Sequence, residues 1–390
     1  MEDPPHSERS LSNPPARLHS VQVLRAVAAL AVLGWHAVWV TRAFPEALPA
    51  LPAFLAIGYA GVDLFFVLSG FIVCHITAGR QVRFGGFVLR RWVRIVPLYA
   101  VFTGLALFAV ALHPAWDGKG TLSFGYALAS FTVWPMRETP YLDVGWSLEH
   151  ELIFYALAGA CFAWASPRVL LAAVLSLFGV GLVVHVGSPT ALAGLWDGHV
   201  FSLFHVQFAI GVAIAQTRPV WARFGHALPI LLGVGLALAT GAWLDGTGAA
   251  IHPTGAVGLV RVLGFGFAGG ALLVGALNTE ARAATGAHRF LSSRGGRAAI
   301  ALGDASFVLY LSHYFVFSIV SKLATGAPAA WAIPTLVLAT ALACGFAWAF
   351  HVAVEAPFLR RARAHLTPEK PPAHAASTPT AARAWAGGNP

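Results

Sequence analysis

Runs of about twenty mostly apolar residues recur from one end of the chain to the other, and no other feature restricts its fold so strongly. At 1.5 Å per residue, a helix of that length covers ~30 Å of hydrocarbon. Inside a bilayer the backbone must satisfy its own hydrogen-bonding groups, which a helix does and an irregular segment does not. Candidate spans are Val21–Val40, Ile57–Thr77, Trp92–Leu112, Val144–Ala165, Val169–Val186, Val200–Gln216, Ala227–Leu244, Val257–Leu277, Ala298–Val320 and Ala330–Val354. The pattern predicts an all-α integral membrane bundle of about ten transmembrane helices. Composition agrees. Of 390 residues 57% are hydrophobic and 11% charged, too few charges to coat a water-facing surface.

Met1–Ser20 is polar and Pro-rich without an apolar core, so it reads as a disordered cytoplasmic leader rather than a cleaved signal peptide. Residues 362–390 read as a disordered cytoplasmic tail, leaving 21–361 as the membrane domain. The formal net charge of +9 is unevenly placed. About twenty of the 25 Lys and Arg residues fall in the segments that share a side with the termini, while Arg42, Lys119, Arg137 and Lys322 fall opposite. This is the positive-inside bias. It predicts cytoplasmic termini and explains the charge without a nucleic-acid partner. Leu122–Met136 is moderately apolar but is expected to be interfacial or re-entrant, because a crossing there would reverse the charge bias downstream. Cys74, Cys161 and Cys344 lie in or beside spans without CxxC spacing, which predicts neither a disulfide framework nor a zinc site.

Ionisable residues within spans are the functional suspects. Arg25 and His36 are eleven residues apart, close to three full turns, so they share a helix face about 16 Å apart along the axis. A neutral imidazole at the depth of His36 suits proton abstraction from a nucleophile; the bland alternative is a histidine bonded to a backbone carbonyl. Asp63 and Ser69 interrupt the apolar run Gly61–Phe71, and Asp63 needs a partner. Arg90, Arg91 and Arg94 open the third span, where i,i+3 and i,i+4 spacing converges guanidinium groups fit for phosphate; ordinary membrane anchoring is the even alternative. Glu151 lies in Trp146–Tyr155 at a depth comparable with His36. His150-Glu151 begins like a zinc-protease motif, but Phe154 stands where the second histidine is required. Gly264–Gly269 matches a dinucleotide fingerprint in form only, since it sits inside an apolar span and is better read as helix packing. His313 closes the run Gly303–His313, and Glu355 is expected to pair with the arginines that follow, with Pro357 ending the last span.

Taken together, these segments resemble the acyltransferase-3 family of membrane acyltransferases, in particular its exopolysaccharide-production branch, over roughly Ser20–Arg361. The likeness rests on Leu24-Arg25-Ala26 followed by His36, on Gly61–Phe71, on Arg90–Pro97, on Trp146-Ser147-Leu148 with Glu151, Phe154 and Tyr155, and on Tyr310-Leu311-Ser312-His313. Five such segments in order are specific where each alone is weak. Leu152 departs from the pattern, because members often carry a second acidic residue there; Glu149 and His150 precede Glu151 instead. Some members also carry a fused extracytoplasmic esterase-like domain, which is not expected here. The resemblance implies an O-acetyltransferase-like enzyme of the inner (plasma) membrane that needs no bound cofactor or metal. It would move an acyl group, acetyl foremost, from cytoplasmic acyl-CoA (acetyl-CoA) to a hydroxyl of a lipid-linked or polymeric carbohydrate acceptor. Arg25, Arg90, Arg91 and Arg94 would hold the acyl-CoA. His36 would act as general base or acyl carrier, with Glu151 orienting its ring, and Asp63, Ser69, Tyr155, Tyr310 and His313 are further candidates. Two other classes compete: a proton-coupled transporter using the buried His, Asp and Glu residues, and a structural subunit of an export complex.

Overall fold

The computed structural model describes residues 17–47, 53–114, 123–136, 138–187, 198–247, 255–282 and 287–366, and within them it is helical with no strand. Most of the expected leader and tail, 1–16 and 367–390, lies outside the described residues. The first helices are α1 (His19–His36), α2 (Ala60–Thr77), α3 (Phe84–Leu112), α4 (Phe124–Thr132), α5 (Trp146–Trp164) and α6 (Pro167–Leu182). Further along, and leaving aside four helices of four to six residues, come α7 (His205–Gln216), α8 (Ala227–Thr247), α9 (Gly255–Ala281), α10 (Arg294–Asp304), α11 (Ser306–Ala324), α12 (Ala332–Phe350) and α13 (Ala356–His365).

Eight helices among the described residues are long and apolar enough to cross a membrane. Two of the expected spans fall short of that standard. α5 has the length at nineteen residues, but Glu149, His150 and Glu151 dilute its apolar run. α7 has only twelve residues, about 18 Å. Its expected start at Val200 is a turn instead, gathered by the His205 imidazole, whose Nε2 lies 2.8 Å from Val200 O and 3.2 Å from His199 O. The expected ninth span also divides. Its first part, α10, carries Arg294, Arg297 and Asp304 and is separated at Ala305 from the apolar α11. α4 is nine residues long, too short to cross, and ends where Val133 adopts φ 57°. At the other end, Pro357 does not stop the helix. A π-helical segment, His351–Glu355, leads into α13 with the proline in its first turn, where a missing N–H breaks no bond. Glu355 is bonded there to His351 at 2.6 Å rather than to the arginines beyond it.

α2 and α9 form the interior, each with 56% of its membrane window buried, against 17% for the segment holding α12 and 22% for α6. Apolar side chains on the outer helices face outward, among them Leu105 and Phe108 of α3, Leu231 of α8 and Val337 of α12, as a hydrocarbon environment requires. Glycines let α2 sit centrally. A Cβ on Gly61 would stand 2.2 Å from Ala28 O of α1, and one on Gly211 of α7 would stand 2.0 Å from Val67 O. The Gly264–Gly269 segment lies in α9 and packs against neighbouring helices, Gly264 against Thr240 of α8. Charge joins the same helices: Arg261 of α9 meets Asp63 of α2 at 3.1 Å, both buried, and Gln207 of α7 donates to the other carboxylate oxygen at 2.6 Å. The start of α1 lacks a cap from its own sequence. The Glu280 carboxylate of α9 supplies one, accepting from His19 N–H at 2.9 Å and Ser20 N–H at 3.1 Å.

Candidate active site

The packing of α1, α2, α3, α5 and α11 leaves a cavity of about 280 Å³ between them. Arg17, Arg25, Arg91 and Arg94 line it, and Glu151 is the one carboxylate among its lining residues. Arg17 is tied to Asp304. Arg25 donates to Gln22 Oε1 at 3.0 Å. Arg91 packs its guanidinium over the rings of Phe87 and Tyr155, 5.5 and 5.2 Å from their centroids. No ion pair involves Arg25, Arg91 or Arg94 among the described residues, so the cavity presents unneutralised positive charge. Arg90 is not among its lining residues. Successive helical residues differ by 100°, and Arg91 and Arg94 share the inward face that Arg90 leaves.

Deeper in, Ser69 of α2 donates to Glu151 Oε1 at 2.6 Å, and the Tyr155 hydroxyl donates to the same oxygen. Glu151 therefore joins α2 to α5 and, through the Tyr155 ring, steadies Arg91. It does not orient His36 as expected. Its hydrogen-bond partners Ser69 and Tyr155 both line the cavity, whereas His36 is not among the cavity-lining residues.

His36 ends α1, and its ring meets His313 of α11 edge to face with centroids 4.7 Å apart. The hydrogen bonds assign the protons. A carbonyl oxygen only accepts, so the imidazole nitrogen facing one carries hydrogen. His313 Nδ1 lies 2.9 Å from Leu309 O, which leaves its Nε2 as an acceptor, 3.2 Å from His36 Nδ1. His36 Nδ1 also lies 2.9 Å from Val32 O, so its one proton is shared between two acceptors. In the neutral ring this leaves His36 Nε2 unprotonated, and no hydrogen bond reaches it among the described residues. That is the state a general base requires. Beyond the pair stand Tyr314, its ring 6.5 Å from His36, then Trp39 and Asp143, which accepts from the Tyr314 hydroxyl at 3.4 Å.

Tyr310 separates the cavity from the imidazoles. It lines the cavity, its ring is 6.1 Å from that of His313, and its hydroxyl donates to Val144 O at 2.8 Å beside Ser147 Oγ at 2.7 Å. Of the expected site residues the structure thus gathers Arg25, Arg91, Arg94, Ser69, Glu151, Tyr155 and Tyr310 around one cavity and puts His36 with His313 behind it. Asp63 is occupied by Arg261 and Gln207. Sequence reasoning missed Gln22, Phe65, Ser147 and Ser306 in the cavity wall. Ser147, Phe65 and Ser306 lay within the runs Trp146–Tyr155, Gly61–Phe71 and Gly303–His313, though none was singled out there, and nothing marked Gln22.

A bundle with apolar flanks, a basic cavity and paired interior imidazoles is that of a multi-pass membrane enzyme. The model of the acyltransferase-3 family, described as an acyltransferase domain, matches residues 18–351. The exopolysaccharide production protein ExoZ of Rhizobium meliloti (strain 1021) is 34% identical over 330 residues, covering 79% of this chain and 92% of that protein. The peptidoglycan O-acetyltransferase OatA of Listeria monocytogenes serovar 1/2a is 26% identical over 182 residues, 40% of this chain and 27% of that protein. Protein 2 in the picA locus of Rhizobium radiobacter is 28% identical over 199 residues, 45% of this chain and 97% of that protein. No solved structure matches the chain. The chain belongs to the acyltransferase-3 family and is a membrane acyltransferase. The transporter alternative finds no support in these relatives, and the buried ionisable groups divide into separately bonded sets rather than a relay.

Proposed function

We propose that this chain is an O-acyltransferase of the inner membrane that moves an acyl group, acetyl foremost, from cytoplasmic acyl-CoA to a sugar hydroxyl of an exported or cell-surface polysaccharide. The observation that carries the reading is an order of groups: the arginine-lined cavity, then Tyr310, then His313 and His36 with its free Nε2. The names of ExoZ and OatA support a polysaccharide acceptor. The arginine bias of the loops supports cytoplasmic termini and, with them, a cavity mouth at Arg17 that opens to the cytoplasm.

In this scheme Arg25, Arg91 and Arg94 hold the phosphates of the donor at the mouth. The cavity accommodates the slender pantetheine arm and a short acyl group but not the nucleotide. The acceptor hydroxyl approaches from the Asp143 and Tyr314 side. His36 Nε2 takes its proton as the oxygen attacks the thioester carbonyl; the carbon–sulfur bond breaks, and the departing thiolate recovers the proton from His36. His313 holds the His36 ring in the reactive tautomer, as the third member of a triad does. Asp63 has a structural role, binding α2 to α9.

Purified protein incubated with labelled acetyl-CoA should release CoA only when the polysaccharide acceptor is added. His36→Ala should lower that rate ~10²–10⁴-fold, the usual loss when a general base is removed. Wild-type transfer by the alanine variant would refute the assignment.

A further inference from the structure

Among the described residues that line the cavity, one buried hydroxyl stands unsatisfied. Ser306, at the first turn of α11, is fully buried and lines the cavity, and its hydroxyl has no hydrogen-bond partner. A buried hydroxyl without a partner is costly, so the position suits an acceptor that enters the cavity. One turn further along the same helix face, Tyr310 lines the wall, and the Phe65 ring of α2 meets it edge to face with centroids 6.2 Å apart. The Tyr310 ring cannot swing freely, because its hydroxyl is fixed by Val144 O and Ser147.

Resting on the donor reading above, we infer that the stretch of cavity wall from Ser306 to Tyr310 is an acyl-length gauge. Ser306 donates to the amide carbonyl nearest the sulfur of the pantetheine arm, and the Phe65–Tyr310 pair closes the space beyond the thioester to all but a short acyl group. The spacing fits. Four residues of α11 rise about 6 Å, and an extended amide–ethyl–sulfur unit reaches about 5 Å from its carbonyl carbon, given ordinary bond lengths. With the amide at Ser306, the thioester lies beside Tyr310, on the side from which His313 and His36 are reached. An acetyl methyl fits against the two rings, whereas each further methylene must displace one of them.

The test is displacement of labelled acetyl-CoA from the detergent-solubilised full-length protein by acetyl-, propionyl-, butyryl- and hexanoyl-CoA. Wild-type affinity should fall as the chain lengthens. Phe65→Ala should reverse the order, with longer chains gaining up to roughly fourfold per methylene, the worth of one buried CH₂. Phe65→Leu, which disturbs packing less, should shift the order in the same direction. Ser306→Ala should weaken all four ligands by about fivefold, the value of one neutral hydrogen bond, without changing their order. Equal wild-type affinity for every chain length, or an unchanged order in both Phe65 variants, overturns the gauge while leaving the donor reading intact. If the wild-type protein binds neither acetyl-CoA nor CoA, the donor reading fails and the gauge falls with it.

Discussion

The contact between His36 and His313 is the place to test the chemistry without removing the base itself. His313 is buried, with its Nε2 3.2 Å from His36 Nδ1 and its Nδ1 bound to Leu309 O. Replacing it by leucine keeps much of the volume but deletes one of the two acceptors for the His36 proton. A neutral hydrogen bond contributes about 1 kcal/mol, or roughly fivefold in rate if it is fully expressed in the transition state. Freedom for the ring to turn adds to this, with the ~10²–10⁴-fold loss on removing the base as the upper limit. His313→Gln should recover most of the activity, because its amide oxygen can accept from His36 at nearly the position of the imidazole Nε2. Steady-state transfer from labelled acetyl-CoA in proteoliposomes should show the loss in kcat and not in KM for the donor, since His313 is not among the cavity-lining residues. In a His36→Ala background the leucine change should do nothing more, because the two residues act as one unit. A fully active leucine variant, or equal losses for leucine and glutamine, would remove His313 from the mechanism.

The arginine cluster should divide along the helix face: Arg91→Gln with Arg94→Gln should raise KM for acyl-CoA about tenfold or more, and Arg90→Gln should have much less effect. Equal effects at all three positions, read from donor titrations, would reduce them to membrane anchors. Asp63→Asn should destabilise the detergent-solubilised protein by about 3–5 kcal/mol by stranding Arg261, and adding Arg261→Met should recover much of the loss. A stable but inactive Asp63→Asn protein, judged by thermal unfolding, would instead give Asp63 a chemical role. Reporter fusions after Arg83, Arg223 and Arg294 should report the cytoplasm, and those after Trp116, Asp197 and Gly248 the outside. A cytoplasmic signal at Asp197 would mean that the segment around α4 crosses after all.

The sequence by itself determined that this is a helical membrane protein, because a bilayer admits few other structures for chains so apolar. It also marked His36, Glu151, Tyr310 and His313, since polar residues stand out against an apolar background. Helical periodicity describes the faces of one helix, however, and says nothing about which other helix meets them. His36 finds His313 across 277 positions, Arg261 finds Asp63 across 198, and Glu151 finds Ser69 across 82. Only packing could decide that Glu151 bonds to α2 and not to His36, or that Arg91 and Arg94 turn inward while Arg90 leaves that face. Helix ends were equally hidden. The turn before α7 is fixed by His205 reaching the carbonyls of Val200 and His199, and the start of α1 is capped by Glu280 from a helix far along the chain. Hydrophobicity decides that a segment enters the membrane, but polar contacts between distant segments decide where each helix stops and what its buried charges can do.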